Sequence, residues 1–158
     1  MGQIESGLKS HIDSLPGDVV MNLLSRINKS SKFLDGFKEY SYALLRIVTG
    51  YMFMLHGTQK LLDFPNAFPH GELNLLMTVG GSIEMIGGAL ILVGLLTRLA
   101  AFTCSGLMAV AYWMFHAPGS NPVFPIMNGG DLAIMYAFVF LFIACRGAGI
   151  LSVDSSRS

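Results

Sequence analysis

The chain has 158 residues, 53% of them hydrophobic and only 13% charged, with ten basic residues balanced by ten acidic ones. Soluble domains carry about a quarter of their residues as charged side chains, so this composition excludes an ordinary cytosolic enzyme. The apolar content excludes a disordered chain, and the lack of basic excess argues against a nucleic-acid partner. The length suits one domain, and the class is an integral membrane protein.

Residues 1–40 read as a polar, cytoplasmic N-terminal extension. No apolar core follows the first residues, so no signal peptide is expected. Residues 1–6 fit the short myristoylation pattern, an anchor of little use to a chain that already spans the bilayer. After Pro16-Gly17, with Asp18 as a possible N-cap, Val20, Leu23, Leu24 and Ile27 recur at helical spacing, and Arg26, Lys29 and Lys32 lie off that stripe. This pattern fits an amphipathic helix at the membrane interface or a solvated tail.

Four apolar segments follow. The first, residues 42–62, contains Arg46, His56 and Lys60. Residues 73–96 are interrupted only by Glu84, and residues 99–115 carry no charge. The fourth, residues 132–145, falls short of the roughly 20 residues that cross about 30 Å of hydrocarbon and must borrow its flanks. Thr97-Arg98 is expected to form the whole turn between the second and third segments. Residues 116–130, with three prolines and three glycines, read as an external loop.

Lys9, Arg26, Lys29, Lys32, Lys38, Arg98, Arg146 and Arg157 fall on one side of such a bundle, and Lys60 stands alone on the other. The positive-inside rule then puts both termini in the cytoplasm. Tyr40, Tyr42, Tyr112 and Trp113 lie near span ends, where aromatic belts form. Cys104 and Cys145 make no redox or zinc spacing and read as small hydrophobes. The expected architecture is all-α: a membrane-spanning four-helix bundle over residues 41–154, with a short tail at 155–158.

Glu84 is the most informative position. A carboxylate near the bilayer midplane costs several kcal/mol unless it is paired or protonated, so a functional role is its default reading and an interhelical hydrogen bond the alternative. Gly80, Glu84, Gly87 and Gly88 share a helix face, and small residues there admit a neighbouring helix. Arg46, shallow in the first span, is the expected partner of Glu84 in a catalytic pair, unless it snorkels to the headgroups. His56 and Lys60 meet at i, i+4 spacing. With Gln59, His116 and Asp131 they could gather at the external mouth and orient a quinone or an anion, or serve as polar end caps, Asp131 capping the last helix. No helical His/Asp spacing supports a metal.

Taken together, these residues resemble the DoxX family of small four-span bacterial membrane proteins. The resemblance covers residues 44–154. It rests on Arg46-Ile47-Val48-Thr49-Gly50 with His56-Gly57-Thr58-Gln59-Lys60, and on Glu84 with Gly87-Gly88 and Gly94 to Thr97-Arg98. It continues through Asn128-Gly129-Gly130 and the closing Arg146-Gly147-Ala148-Gly149 with Ser152-Val153-Asp154. Asp131 stands near a position where the family often carries glutamate, and the N-terminal extension has no counterpart.

The resemblance implies a bacterial inner-membrane location and oxidoreductase work. The chain would be a membrane subunit of a quinone-linked complex with a protein partner, a quinone and a small sulfur compound among its ligands. With no haem, flavin or nucleotide motif in the chain, electron transfer requires a bound quinone or a cofactor on the partner. The competing readings are a non-enzymatic assembly subunit and, on thinner grounds, a small transporter, for which no inverted repeat is apparent.

Overall fold

The computed structural model describes residues 16–69, 73–119 and 121–156. The myristoylation-like residues 1–6, Lys9 and Arg157 lie outside them. Every regular element among the described residues is helical.

Residues 1–38 form one unit, whose helix α1 spans Gly17–Asp35. Pro16 takes the N-cap position. Asp18 makes no capping bond and sits in the first turn, where an acid complements the helix dipole. At 100° per residue Val19, Val20, Leu23, Leu24 and Leu34 gather on one side, with Lys29 and Lys32 on the other and Arg26 at the edge beside Val19. Val19, Leu23, Leu24 and Leu34 are exposed.

The second unit runs from Glu39 to the C-terminus. It comprises α2 (Lys38–Leu62), α3 (Leu75–Val93), α4 (Thr97–Ala111), the short α5 (Pro125–Asn128) and α6 (Asp131–Arg146). A π-helical turn, Tyr112–His116, prolongs α4. Leu75–Val93 and Thr97–His116 are each long and apolar enough to cross a membrane. The 16 residues of α6 rise only about 24 Å.

Glycines set the packing of α2 on α3. A Cβ on Gly50 would stand 2.6 Å from the backbone nitrogen of Leu92 and 2.9 Å from the carbonyl of Gly88. Gly57 meets Met85 and Gly81 in the same way, and Gly88 meets Met54 and Gly50. The two helices are therefore antiparallel, with Gly50 against Gly88 and, two turns on, Gly57 against Gly81. Such close backbone approach is open only to residues without a side chain. On α3, Gly81 and not Gly80 meets α2, and Gly87 abuts the Cys104 thiol of α4.

Gly94, left-handed at φ 71°, ends α3, and the amide of Leu95 bonds back to Leu90 at 2.9 Å, a common glycine stop. The connection is Gly94–Leu96. Thr97 and Arg98, expected as the turn, instead open α4, where Asp154 caps the amides of Leu96 and Thr97, as described below. On the far side of α4 packs α6, with the Ser105 hydroxyl donating to the Ala137 carbonyl at 2.8 Å.

Between the helices lie Phe53, Ile91, Cys104, Phe140 and Ile143, all essentially inaccessible. Phe53, Tyr136 and Phe140 form an aromatic cluster with centroids 4.7–5.5 Å apart. Cys104 packs in this core, whereas Cys145 is exposed. Tyr42 and Tyr112, expected in aromatic belts, are buried because their hydroxyls find carbonyls at Gly147 and Pro122. Asp131 is the first residue of α6 and is exposed; Gly130 occupies the cap position, with no side-chain bond.

Candidate functional site

The polar residues of the second unit separate into two groups, one where α2 begins and α3 ends, the other toward the opposite ends of those helices. At the first, Arg46 is fully buried. Its guanidinium donates to the carbonyls of Ile91 at 2.7 Å, Leu92 at 2.8 Å and Leu151 at 2.7 Å, with a longer bond to Ile150 at 3.4 Å. Terminal carbonyls of a helix have no partner within it, and Arg46 supplies one for α3. The expectation that Arg46 pairs with Glu84 is thereby corrected. In the glycine-set register Arg46 faces Leu92, eight residues or about 12 Å of helix beyond Glu84, and these carbonyls engage its two terminal nitrogens, while its Nε has no partner.

Neighbouring residues follow the same logic. Asp154 accepts from the amides of Leu96 and Thr97, both at 3.0 Å, and from the Thr97 hydroxyl at 2.8 Å. Arg98 donates to the last carbonyls of α6, those of Ala144, Cys145 and Arg146, at 2.9, 2.6 and 3.2 Å. The Arg146 guanidinium lies 4.2 Å from the Tyr42 ring centroid and pairs with Glu39 at 2.7 Å. This group of residues terminates helices and fastens the C-terminal segment.

The second group is built differently. Glu84, 4% exposed, sits at the middle of α3, and its Oε1 meets Lys60 Nζ at 2.5 Å. Lys60 lies in the last turn of α2 and reaches back along the glycine seam. Burying this carboxylate with its cation avoids most of the cost of a lone midplane charge. The pair borders a cavity of about 570 Å³ whose walls include His56, Gln59, His116 and Tyr136, with Leu76, Met77, Leu107 and Met108 among its apolar residues. His56, Gln59, Lys60 and His116 thus share one cavity. Arg46 and Asp131 are not among its walls.

Each polar wall residue has a positional cause. His56 and Lys60 are one turn apart on α2, and the His56 ring stands edge-on to Tyr136 at 6.0 Å. Gln59 is held by Asn66 at 3.2 Å. In the π-helical turn the Ala117 amide bonds to the Tyr112 carbonyl five residues back, at 2.9 Å. Such turns are frequent at functional sites. His116 stacks on Tyr112 within it, with Nδ1 3.2 Å from the Asn128 carbonyl.

Two buried atoms of residues that line the cavity, Glu84 Oε2 and the Tyr136 hydroxyl, have no hydrogen-bond partner and almost no accessible surface. Buried polar groups are nearly always paired, so these two are exceptions within the bundle. Tyr136 is a site residue that sequence reasoning missed: inside an apolar run a tyrosine reads as core, and only the packing of α6 brings it to Glu84's cavity. No cluster of metal-ligating side chains occurs among the described residues.

The chain is 44% identical over 126 residues to an uncharacterized protein of Haemophilus influenzae, covering 77% of this chain and 94% of that one. A second uncharacterized Haemophilus influenzae protein is 31% identical over 97 residues, 61% of this chain and 62% of its own length. The Bacillus subtilis protein named "Putative oxidoreductase CatD" is 26% identical over 122 residues, 73% of this chain and 86% of that one. No solved structure matches. The DoxX family model matches residues 41–117, a stretch that holds both Lys60 and Glu84 and runs into the loop after His116. With α3 and the extended α4 each long and apolar enough to cross a membrane, the chain belongs to the DoxX family of membrane proteins.

Proposed function

We propose that this protein is the membrane subunit of a quinone-linked oxidoreductase complex in the bacterial inner membrane. In this reading α2, α3, α4 with its π-helical turn, and α6 all cross the bilayer and both termini are cytoplasmic. The interfacial helix α1 then lies on the cytoplasmic surface, its leucines in the acyl boundary and its lysines toward the headgroups. One observation carries the functional part: a buried Lys60–Glu84 ion pair whose two residues both line a largely apolar cavity. The oxidoreductase name of the Bacillus subtilis relative supports the same class.

The residues present suit a quinone head group, which is a flat ring with polar atoms at opposite edges. The leucines and methionines of the cavity would take the ring, while Lys60, His56, Gln59 and His116 offer polar groups for its edges. When bound, such a group supplies two-electron chemistry that no side chain provides. Glu84 and Lys60 would hold one of the two protons that accompany it, the other exchanging with solvent, and the apolar walls limit access of water. Electrons would come from a partner subunit acting on a small substrate such as a sulfur compound.

Purification in mild detergent, followed by analysis for both proteins and extractable quinone, tests this. A redox protein and a quinone recovered at near-stoichiometric amounts are expected; absence of both from active membranes would overturn the proposal. The assembly-subunit reading is favoured by one observation, the commitment of Arg46, Arg98 and Asp154 to helix termini. It predicts that the chain recovers a partner without quinone.

A further inference from the structure

A second hollow, sharing no residue with the cavity of Lys60 and Glu84, lies where α4 begins and α6 ends. It is an open cleft of about 600 Å³, within the range of about 300–1,000 Å³ usual for small-ligand sites. Arg98 and Arg146 line it, together with the loop Gly147–Gly149 and two leucines, Leu96 and Leu99. Both arginines and both leucines are exposed. A Cβ on Gly147 would stand 3.0 Å from Arg98 Nη2, so the missing side chain lets the loop lie directly against that guanidinium.

Neither guanidinium is exhausted by its contacts within the chain. Arg98 makes its three bonds to carbonyls through two of its nitrogens, and Arg146 bonds Glu39 through one, whereas a guanidinium carries five N–H donors. Charge is left over too. Three arginines at this end, Arg46, Arg98 and Arg146, stand against two carboxylates, Glu39 and Asp154, so one positive charge is unbalanced in this group of described residues. From Leu99 the exposed Phe102, Gly106 and Val110 continue at helical spacing along α4, and nothing lies within 4 Å of a Cβ placed on Gly106. A ligand matching this surface is negative at one end and apolar behind it. Free phosphate or sulfate would use the arginines and leave Leu96 and Leu99 uncovered. We propose that the cleft binds an anionic phospholipid, its phosphodiester at Arg98 and Arg146 and an acyl chain along α4 from Leu99. Basic pockets between spanning helices serve such head groups elsewhere. The proposal depends on the membrane setting of the family and is independent of the quinone reading.

Native mass spectrometry of the full chain, released from detergent micelles, measures this with three probes. They are dioctanoyl phosphatidylglycerol, dioctanoyl phosphatidylcholine, and glycerophosphoglycerol, which keeps the anionic head and lacks both chains. Phosphatidylglycerol is expected to bind about fivefold tighter than phosphatidylcholine, the effect of one basic side chain on an anionic lipid. Glycerophosphoglycerol should bind at least about tenfold more weakly, since it covers no apolar surface. Arg146→Gln should lower phosphatidylglycerol affinity by about fivefold. Glu39→Gln removes the carboxylate that competes for Arg146 and should raise it.

Phosphatidylcholine binding as tightly as phosphatidylglycerol overturns recognition of the charge. Glycerophosphoglycerol binding as tightly as the lipid overturns the lipid and makes the cleft a site for a soluble anion. Phosphatidylglycerol affinity left unchanged by either substitution places the lipid elsewhere and overturns the site. The side chains of Arg146 and Glu39 are partly exposed, and the comparison of probes needs no variant, so the proposal stays open to refutation if a substituted chain fails to fold.

Discussion

Glu84 and Arg46 are both ionisable groups buried among helices, and they differ in what their partners are. Arg46 donates to backbone carbonyls; the Ile91 carbonyl also accepts from the Gly94 amide, while those of Leu92 and Leu151 depend on the guanidinium, so its removal exposes a structural debt. Arg46→Leu should lower stability by about 2 kcal/mol or more, from two unsatisfied carbonyls at about 1–3 kcal/mol each. Thermal unfolding in detergent would read this as a large drop in midpoint or loss of folded protein, whereas an unchanged midpoint would show the bonds to be idle.

Glu84 is paired through one oxygen only. Lys60→Met leaves its carboxylate buried without a cation, at a cost of about 3–5 kcal/mol. Adding Glu84→Gln to that variant should recover most of the loss, because the amide carries no charge. If the double variant is as unstable as Lys60→Met alone, the ion pair is not what the lysine contributes. Glu84→Gln by itself should retain the fold and, in the intact complex, lose turnover. Undiminished activity at normal yield would remove the proton-handling role.

At the scale of the helices, the close seam between α2 and α3 makes a sharp contrast among glycines. Gly57→Ala pushes a methyl into the backbone of Met85 and Gly81, and the neighbours it meets are main-chain atoms that cannot rotate away. Gly106, on the outer face of α4, has nothing within 4 Å, and there alanine restricts only the unfolded chain and raises helix propensity by up to about 1 kcal/mol. Thermal midpoints should therefore move in opposite directions for the two variants. A Gly57→Ala protein as stable as the parent would mean that the seam opens freely. The N-terminal helix is tested separately: in lipid nanodiscs Leu23→Glu with Leu24→Glu should raise hydrogen exchange across α1, and unchanged exchange would favour a solvated helix.

At the scale of the molecule, the two polar groups face opposite ends of the antiparallel pair. One end collects Arg46, Arg98, Arg146 and the C-terminal segment; the other holds Lys60 and the cavity. If the basic end is cytoplasmic, as the lysine and arginine distribution requires, a cysteine placed at Asn121 should react with a membrane-impermeant maleimide added outside intact cells. Cys145, exposed beside Arg146, should react only after the membrane is opened. The reverse pattern would invert the topology.

Helix content, the places where apolar segments begin and end, and the special standing of Glu84 were legible in the linear chain. Each follows from local physics: hydrophobic runs of fixed length, a charge that costs energy wherever it is buried, and glycines that admit close approach. The sequence also pointed to His56, Gln59, Lys60 and His116, since spacing and position relative to span ends place them near one mouth. Partner choice was not local. Gly50 against Gly88 and Gly57 against Gly81 set a register that carries Arg46 past Glu84 to the end of α3, and leaves Lys60 as the cation within reach. Asp154 lies 57 residues from Thr97, and no periodicity relates them; only the folded chain turns a distant aspartate into the cap of α4. Tyr136 joins the cavity for the same reason. Side-chain chemistry and span length are properties of neighbouring residues, whereas the register of one helix on another depends on contacts that the tertiary structure alone brings together.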